Sequence, residues 1–89
     1  MTYRKRQYLA GALAAREFLR RTQSDLRMHR KYRPSVLRWE VAFAVDDRSL
    51  DYHAGFFDAI GAYLLITLEG VLVDPYRWEV LDLLERAEN

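Results

Sequence analysis

The stretch Asp51–Leu68, DYHAGFFDAIGAYLLITL, decides the fold, because its apolar residues recur at helical spacing. At about 100° per residue, Tyr52, Phe56, Ala59, Ile60, Tyr63, Leu64, Ile66 and Thr67 share one broad face. His53, Phe57 and Leu68 run along its edge, and Asp51, Asp58 and Glu69 fall opposite. Burying each large side chain contributes roughly 1.5 to 3 kcal/mol, so this helix is predicted to be the core element and its neighbours to supply a groove. Gly55 and Ala59 offer small faces where another helix can approach closely.

Both ends of this helix are marked. Asp46, Asp47, Arg48 and Ser49 form a polar turn from which Ser49 or Leu50 leads in, and Gly70 is placed to end the helix in the left-handed conformation. Upstream, Ser35–Val45 (SVLRWEVAFAV) reads two ways. Leu37, Trp39, Val41, Phe43 and Val45 alternate as in a half-buried strand, for which Val71-Leu72-Val73 is the available partner. With Ser35 as N-cap the same residues form a helix that is apolar nearly all round, as suits a central element. Helix is the favoured reading; a short strand at 36–45 in an α+β fold is the minor alternative.

A first helix is predicted from residue 3 to about 22, with Tyr8, Ala12, Ala15 and Leu19 as its stripe and Leu9 and Leu13 beside it. Its alanines permit close packing, and Arg16 either lays its stem along that face or pairs with a carboxylate. Ser24 and Asp25 can cap a second helix to Arg33, although one unbroken helix from Tyr3 to Tyr32 also fits; Pro34 ends it either way. Downstream, Asp74-Pro75 is an N-cap followed by proline at the first helical position. The last helix is expected from Pro75 to about Glu88, turning Tyr76, Val80, Leu83, Leu84 and Ala87 inward, with Trp78 off that stripe. The sum is a single all-α domain over 1–89, a compact bundle of four or five helices.

The chain of 89 residues, 51% hydrophobic and 30% charged, has the composition of a globular protein. A domain of this size buries about 60 to 68% of its unfolded surface, so its core is modest. Arg4, Lys5 and Arg6 before the apolar run Tyr8–Ala15 loosely imitate a signal peptide, but Arg16 and Glu17 come directly after it and the run reads as an ordinary helix. No apolar run approaches the roughly 18 residues of a membrane span, and cysteine is absent, which favours a reducing, cytoplasmic setting. The expectation is a protein that does not engage membranes.

The formal net charge of +1 hides a division. Residues 1–38 carry eleven Lys and Arg against Glu17 and Asp25, a net +9, and residues 39–89 carry three Arg against eleven acids, a net −8. One half is suited to a polyanion, or the halves neutralise each other within the fold or between copies.

Searching for chemistry mostly eliminates it. Two histidines 24 residues apart and no cysteine give no zinc spacing. Asp46, Asp47 and Asp51 lack the glycine and distal glutamate of a calcium loop, and the four glycines are isolated, forming no phosphate cradle. Ser49 and His53, four residues apart at a helix start, read as a cap and a core-edge histidine rather than a catalytic pair. No metal, cofactor or catalytic set is expected.

Two binding functions compete. The leading expectation is a non-enzymatic protein-binding module, a small adaptor or inhibitor such as a phage encodes to block a host protein. Its surface is expected to draw on Arg20, Arg21, Arg27, Arg30, Lys31, Tyr32, Arg33 and Trp78, since Trp, Tyr and Arg dominate interface energies. Self-association through the opposite charges would be compatible with it. The alternative is nucleic-acid binding by the basic segment 16–38, with a break near Ser24 giving a helix-turn-helix.

Overall fold

A computed structural model describes residues 2–28 and 33–79. Those residues form three helices and no strand: α1 (Tyr3–Arg27), α2 (Pro34–Val45) and α3 (Leu50–Leu68). The all-α reading holds, and the strand alternative at 36–45 does not, because α2 occupies that span. The count of four or five helices is corrected to three among the described residues, for two reasons. Ser24 and Asp25 sit inside α1 instead of capping a new helix, and Ser24 Oγ hydrogen-bonds Tyr76 Oη at 2.7 Å. After Asp74-Pro75 the chain makes only a turn over Pro75–Arg77 before residue 80, beyond which the expected last helix with Val80, Leu83, Leu84 and Ala87 lies outside the described residues.

Local chemistry explains the helix ends. Thr2 caps α1, its hydroxyl accepting from the Lys5 amide at 3.1 Å, and Ser49 caps α3 by accepting from the Tyr52 amide at 3.2 Å. The N-cap of α2 is Arg33, not Ser35: Pro34 occupies its first turn, where a missing N–H costs nothing, so proline starts this helix. At the end of α3, Gly70 adopts φ +89°. Its amide bonds the Thr67 carbonyl at 3.0 Å and the Val71 amide bonds the Ile66 carbonyl at 3.3 Å, a Schellman closure. Asp47, at φ 57° in the α2–α3 turn, is a residue type that tolerates the left-handed region.

The core is a crossing of α1 on α3 through two glycines. A Cβ on Gly11 would collide with the Tyr52 carbonyl oxygen and lie 2.9 Å from the Phe56 nitrogen; one on Gly55 would collide with the Tyr8 carbonyl group. Backbone therefore meets backbone, and Ala12, Ala15 and Ala59 fill the surrounding space with no exposure. Phe56 is also fully buried, its ring 6.1 Å from that of Phe18. At the rim of the crossing Tyr8 Oη donates to Asp58 Oδ2 at 2.6 Å and Arg4 pairs with Asp51 at 3.3 Å. Arg16 is half-buried, and its Nε is buried with no hydrogen-bond partner among the described residues.

A contact this close is narrow. The buried stripe of α3 is Tyr52, Gly55, Phe56 and Ala59, continued by partly buried Ile60, Ala62 and Tyr63, whereas Leu64 and Thr67, expected inside, are exposed. Leaning on this pair through Leu37, Val41, Ala44 and buried Val45, α2 is tied at its end where His53 Nε2 donates to the Val45 carbonyl at 2.7 Å. The ring is thus a core-edge histidine making one structural bond. The segment after α3 folds back over α1 and α3, with Tyr63 Oη donating to the Val73 carbonyl at 3.3 Å. Asp74 caps its turn, Oδ1 accepting from the Tyr76 amide at 3.0 Å. None of the described helices is long and apolar enough to cross a membrane.

Candidate protein-binding surface

Of the residues expected at a partner surface, Arg20, Arg21, Arg27, Arg33 and Trp78 are among the described residues, and they differ in exposure and in contacts. Trp78 is only 6% exposed and stacks edge-on against Tyr63 at 5.5 Å, so its ring is part of the core. Its Nε1 is buried with no hydrogen-bond partner among the described residues. Arg20 is likewise engaged: Nε donates to the Pro75 carbonyl at 2.8 Å, Nη2 to the Tyr76 carbonyl at 3.1 Å and Nη1 to Glu17 at 3.0 Å, while the guanidinium lies 5.6 Å from the Tyr76 ring centre. It is a clamp on the segment after α3. Arg21 and Arg27 are exposed on α1, about 120° apart around it at helical spacing, and Arg33 is exposed at the start of α2. Arg30, Lys31 and Tyr32 lie outside the described residues. The break expected near Ser24 is absent, because α1 runs through it to Arg27.

What the fold does present is apolar. Because Leu37, Val41, Ala44 and Val45 turn inward, α2 turns Val36, Trp39 and Phe43 outward at i, i+3 and i+7, with Trp39 68% and Phe43 83% exposed. The outer side of α3 repeats the pattern with Leu50, Phe57, Leu64, Leu65 and Leu68, of which Leu50 is 86% and Leu68 80% exposed. Ala54 and Gly61 complete that stripe, and a Cβ on Gly61 would meet nothing within 4 Å. Scattered surface leucines are normal, but here the exposed apolar side chains fall at helical spacing along one side of each helix.

Charges border the α2 ridge unevenly. Arg33 and Arg38 are exposed toward its N-terminus, and Asp46 and Asp47 are exposed at its C-terminus with Glu40 half-buried between them. The expectation that α2 is a central element is corrected here, since Trp39 and Phe43 are exposed; the signal that pointed to this was an all-round apolar helix on a body too small to surround it.

Ser49 Oγ accepts from the Tyr52 amide while His53 donates to Val45, so the two side chains serve different partners. Among the described residues no cluster of three His, Asp or Glu side chains is suited to a metal ion. A cleft of about 340 Å³ lies between α1, α3 and the returning segment, lined by Gln23, Arg27, Tyr63, Thr67, Val73 and Asp74 among others. Compared with known proteins, the chain matches no family model, no curated protein and no solved structure.

Proposed function

We propose that this chain is a non-enzymatic protein-binding module, an adaptor or inhibitor that presents apolar helix faces edged by arginine. The observation that supports it is the outward ridge of Trp39 and Phe43, continued in kind by Leu50, Phe57, Leu64, Leu65 and Leu68 along α3. Large aromatic side chains held on a rigid helix lose little entropy on binding and bring 150–250 Å² each when fully covered, so they are efficient anchors. The arginines contribute at the edges: Arg38 flanks the ridge, and Arg33 stands at its basic end.

The test is a photo-crosslinking amino acid placed singly at Leu65, at Trp39 and, as control, at the exposed Lys5. In the source cell, Leu65 or Trp39 should yield a discrete protein adduct that the Lys5 position does not, and the identified partner should bind the purified chain and lose at least tenfold in affinity on Trp39→Ala. Equal labelling from all three positions would refute the reading. Tight binding to random duplex, weakening with log salt at a slope near −4 to −5, would instead promote nucleic-acid binding by the 16–38 segment.

A further inference from the structure

The α2 ridge has a property that the other apolar patches lack, which is a lengthwise polarity. Arg33 is exposed at one end, with Arg38 exposed next to Trp39, and Asp46 and Asp47 are exposed at the other end, where the Arg48 guanidinium is turned onto the Tyr52 ring at 5.0 Å; Val36, Trp39 and Phe43 run along the face between the two ends. The helix backbone adds to this polarity, because its N-terminus carries partial positive and its C-terminus partial negative charge. Such a surface is complementary to itself when reversed. We propose that a second copy of this chain is a partner of the ridge, seated so that the two α2 helices run antiparallel about a two-fold axis near Trp39.

In that arrangement Trp39 meets its own equivalent at the axis, each Phe43 lies against the Val36 end of the other α2, and the basic end of each α2 meets the acidic end of its mate. A parallel arrangement would set Arg33 and Arg38 against their own equivalents and oppose the helix dipoles, so the charges select the orientation. Two-fold symmetry is the usual way a surface pairs with itself, residue i meeting j and j meeting i. The α1–α3 core does not change, since the ridge residues are exposed and α2 is attached through its other side, by Leu37, Val41, Ala44 and Val45.

Size sets the expected strength. A 12-residue helix is about 18 Å long, and two mostly exposed aromatics with a valine offer roughly 300–400 Å² per copy. That is below the ~800 Å² per partner of a standard stable interface. The pair is therefore weak, dissociating in the micromolar range. This inference rests on the proposal that the α2 ridge is an interaction surface and adds its occupant.

The experiment is sedimentation velocity on the purified chain from about 5 to 500 μM, with far-ultraviolet circular dichroism as a check on folding. The weight-average mass should rise toward twice the chain mass across that range, and Trp39→Glu/Phe43→Glu should hold it at one chain with an unchanged helical spectrum. Two charge variants test orientation: Arg33→Glu/Arg38→Glu makes both ends of the ridge acidic, and Glu40→Lys/Asp46→Lys puts two cations along the acidic half and leaves Asp47 as its remaining acid. Each alone should associate about tenfold more weakly, and an equimolar mixture should recover to within about threefold of the original chain. A chain that stays at monomer mass at 500 μM overturns the proposal. So does dimerisation that survives Trp39→Glu/Phe43→Glu, or a mixture no better than its components. The cellular crosslinks give the separate answer: a heterologous adduct at Trp39 with no self-association leaves the binding module standing and removes only the second copy.

Discussion

Replacing Gly55 by alanine tests the glycine crossing on which the fold depends. In an exposed helix interior this change would stabilise by about 0.8–1 kcal/mol, because glycine is the poorer helix former. At Gly55 the new methyl would sit on the Tyr8 carbonyl group, and backbone atoms cannot swing aside as a flexible side chain would. Relief requires α1 and α3 to separate by about an ångström, and a radial gap of 0.5–1 Å already forfeits a quarter to a half of each dispersion contact. The buried Ala12, Ala15, Phe56 and Ala59 all sit at that seam. Overpacking of this kind costs typically 1–3 kcal/mol; rigid backbone on both sides places it at the top of that range, about 3 kcal/mol, and subtracting the propensity gain leaves a net loss of about 2 kcal/mol. For a domain of this length each kcal/mol moves the melting midpoint by about 4–8 °C, so the midpoint in thermal melts followed by circular dichroism should fall by about 8 to 16 °C. Gly61→Ala is the matched control: it lies in the same helix with open space at its Cβ, and it should raise the midpoint by a few degrees, near 0.5–1 kcal/mol. Gly11→Ala should behave like Gly55→Ala, and the double variant should cost less than the sum, because the first methyl already parts the helices. A Gly55→Ala midpoint equal to or above that of Gly61→Ala would refute the close crossing.

Other substitutions probe separate joints of the fold. Phe56→Ala removes a fully buried ring and should cost about 3–5 kcal/mol, whereas Asp58→Ala loses one exposed bond from Tyr8 Oη and should cost no more than about 1 kcal/mol in urea unfolding. Ser49→Ala removes the α3 cap and should cost about 1 kcal/mol, read as a lower urea midpoint with an unchanged slope. Arg20→Ala cuts the bonds to the Pro75 and Tyr76 carbonyls, so amide exchange over 74–79 should quicken about tenfold or more while the centre of α3 is little affected.

The legible parts of this fold are those specified within a few residues. Ser49 and Gly70 mark the ends of α3 because a cap and a Schellman closure act over one turn, and the helical period of Asp51–Leu68 is a property of that stretch alone. Proline at 34 is ambiguous by nature: it stops a helix on its N-terminal side and suits the first turn of one on its C-terminal side. Local sequence therefore supports both readings of Ser35–Val45, and packing decides for helix. The illegible parts depend on distance in sequence. Gly11 is one small residue among alanines until Tyr52, over forty positions away, is laid across it. Arg20 reads as a free cation because its carbonyl acceptors lie 55 and 56 residues downstream. Trp78 reads as an outside residue because its place is judged on a helix that does not begin at Pro75, whereas the observed turn swings the ring onto Tyr63.

The same crossing explains why the surface is apolar. A chain that is 51% hydrophobic could close a core around its large side chains, but the α1–α3 seam is filled by Gly11, Ala12, Ala15, Gly55 and Ala59, which leave little room between the helices. Small residues bring backbones together and so exclude bulk from the space they define. The consequence falls on α2 and on the far side of α3: Trp39, Phe43, Leu64, Leu65 and Leu68 cannot enter the seam and stand outside it. Exposing them opposes solubility, and a fold needing only a core gains nothing by it. A tight inner seam and a greasy outer face are thus one packing decision: the small residues that bring α1 and α3 into backbone contact are the reason the bulky ones lie outside.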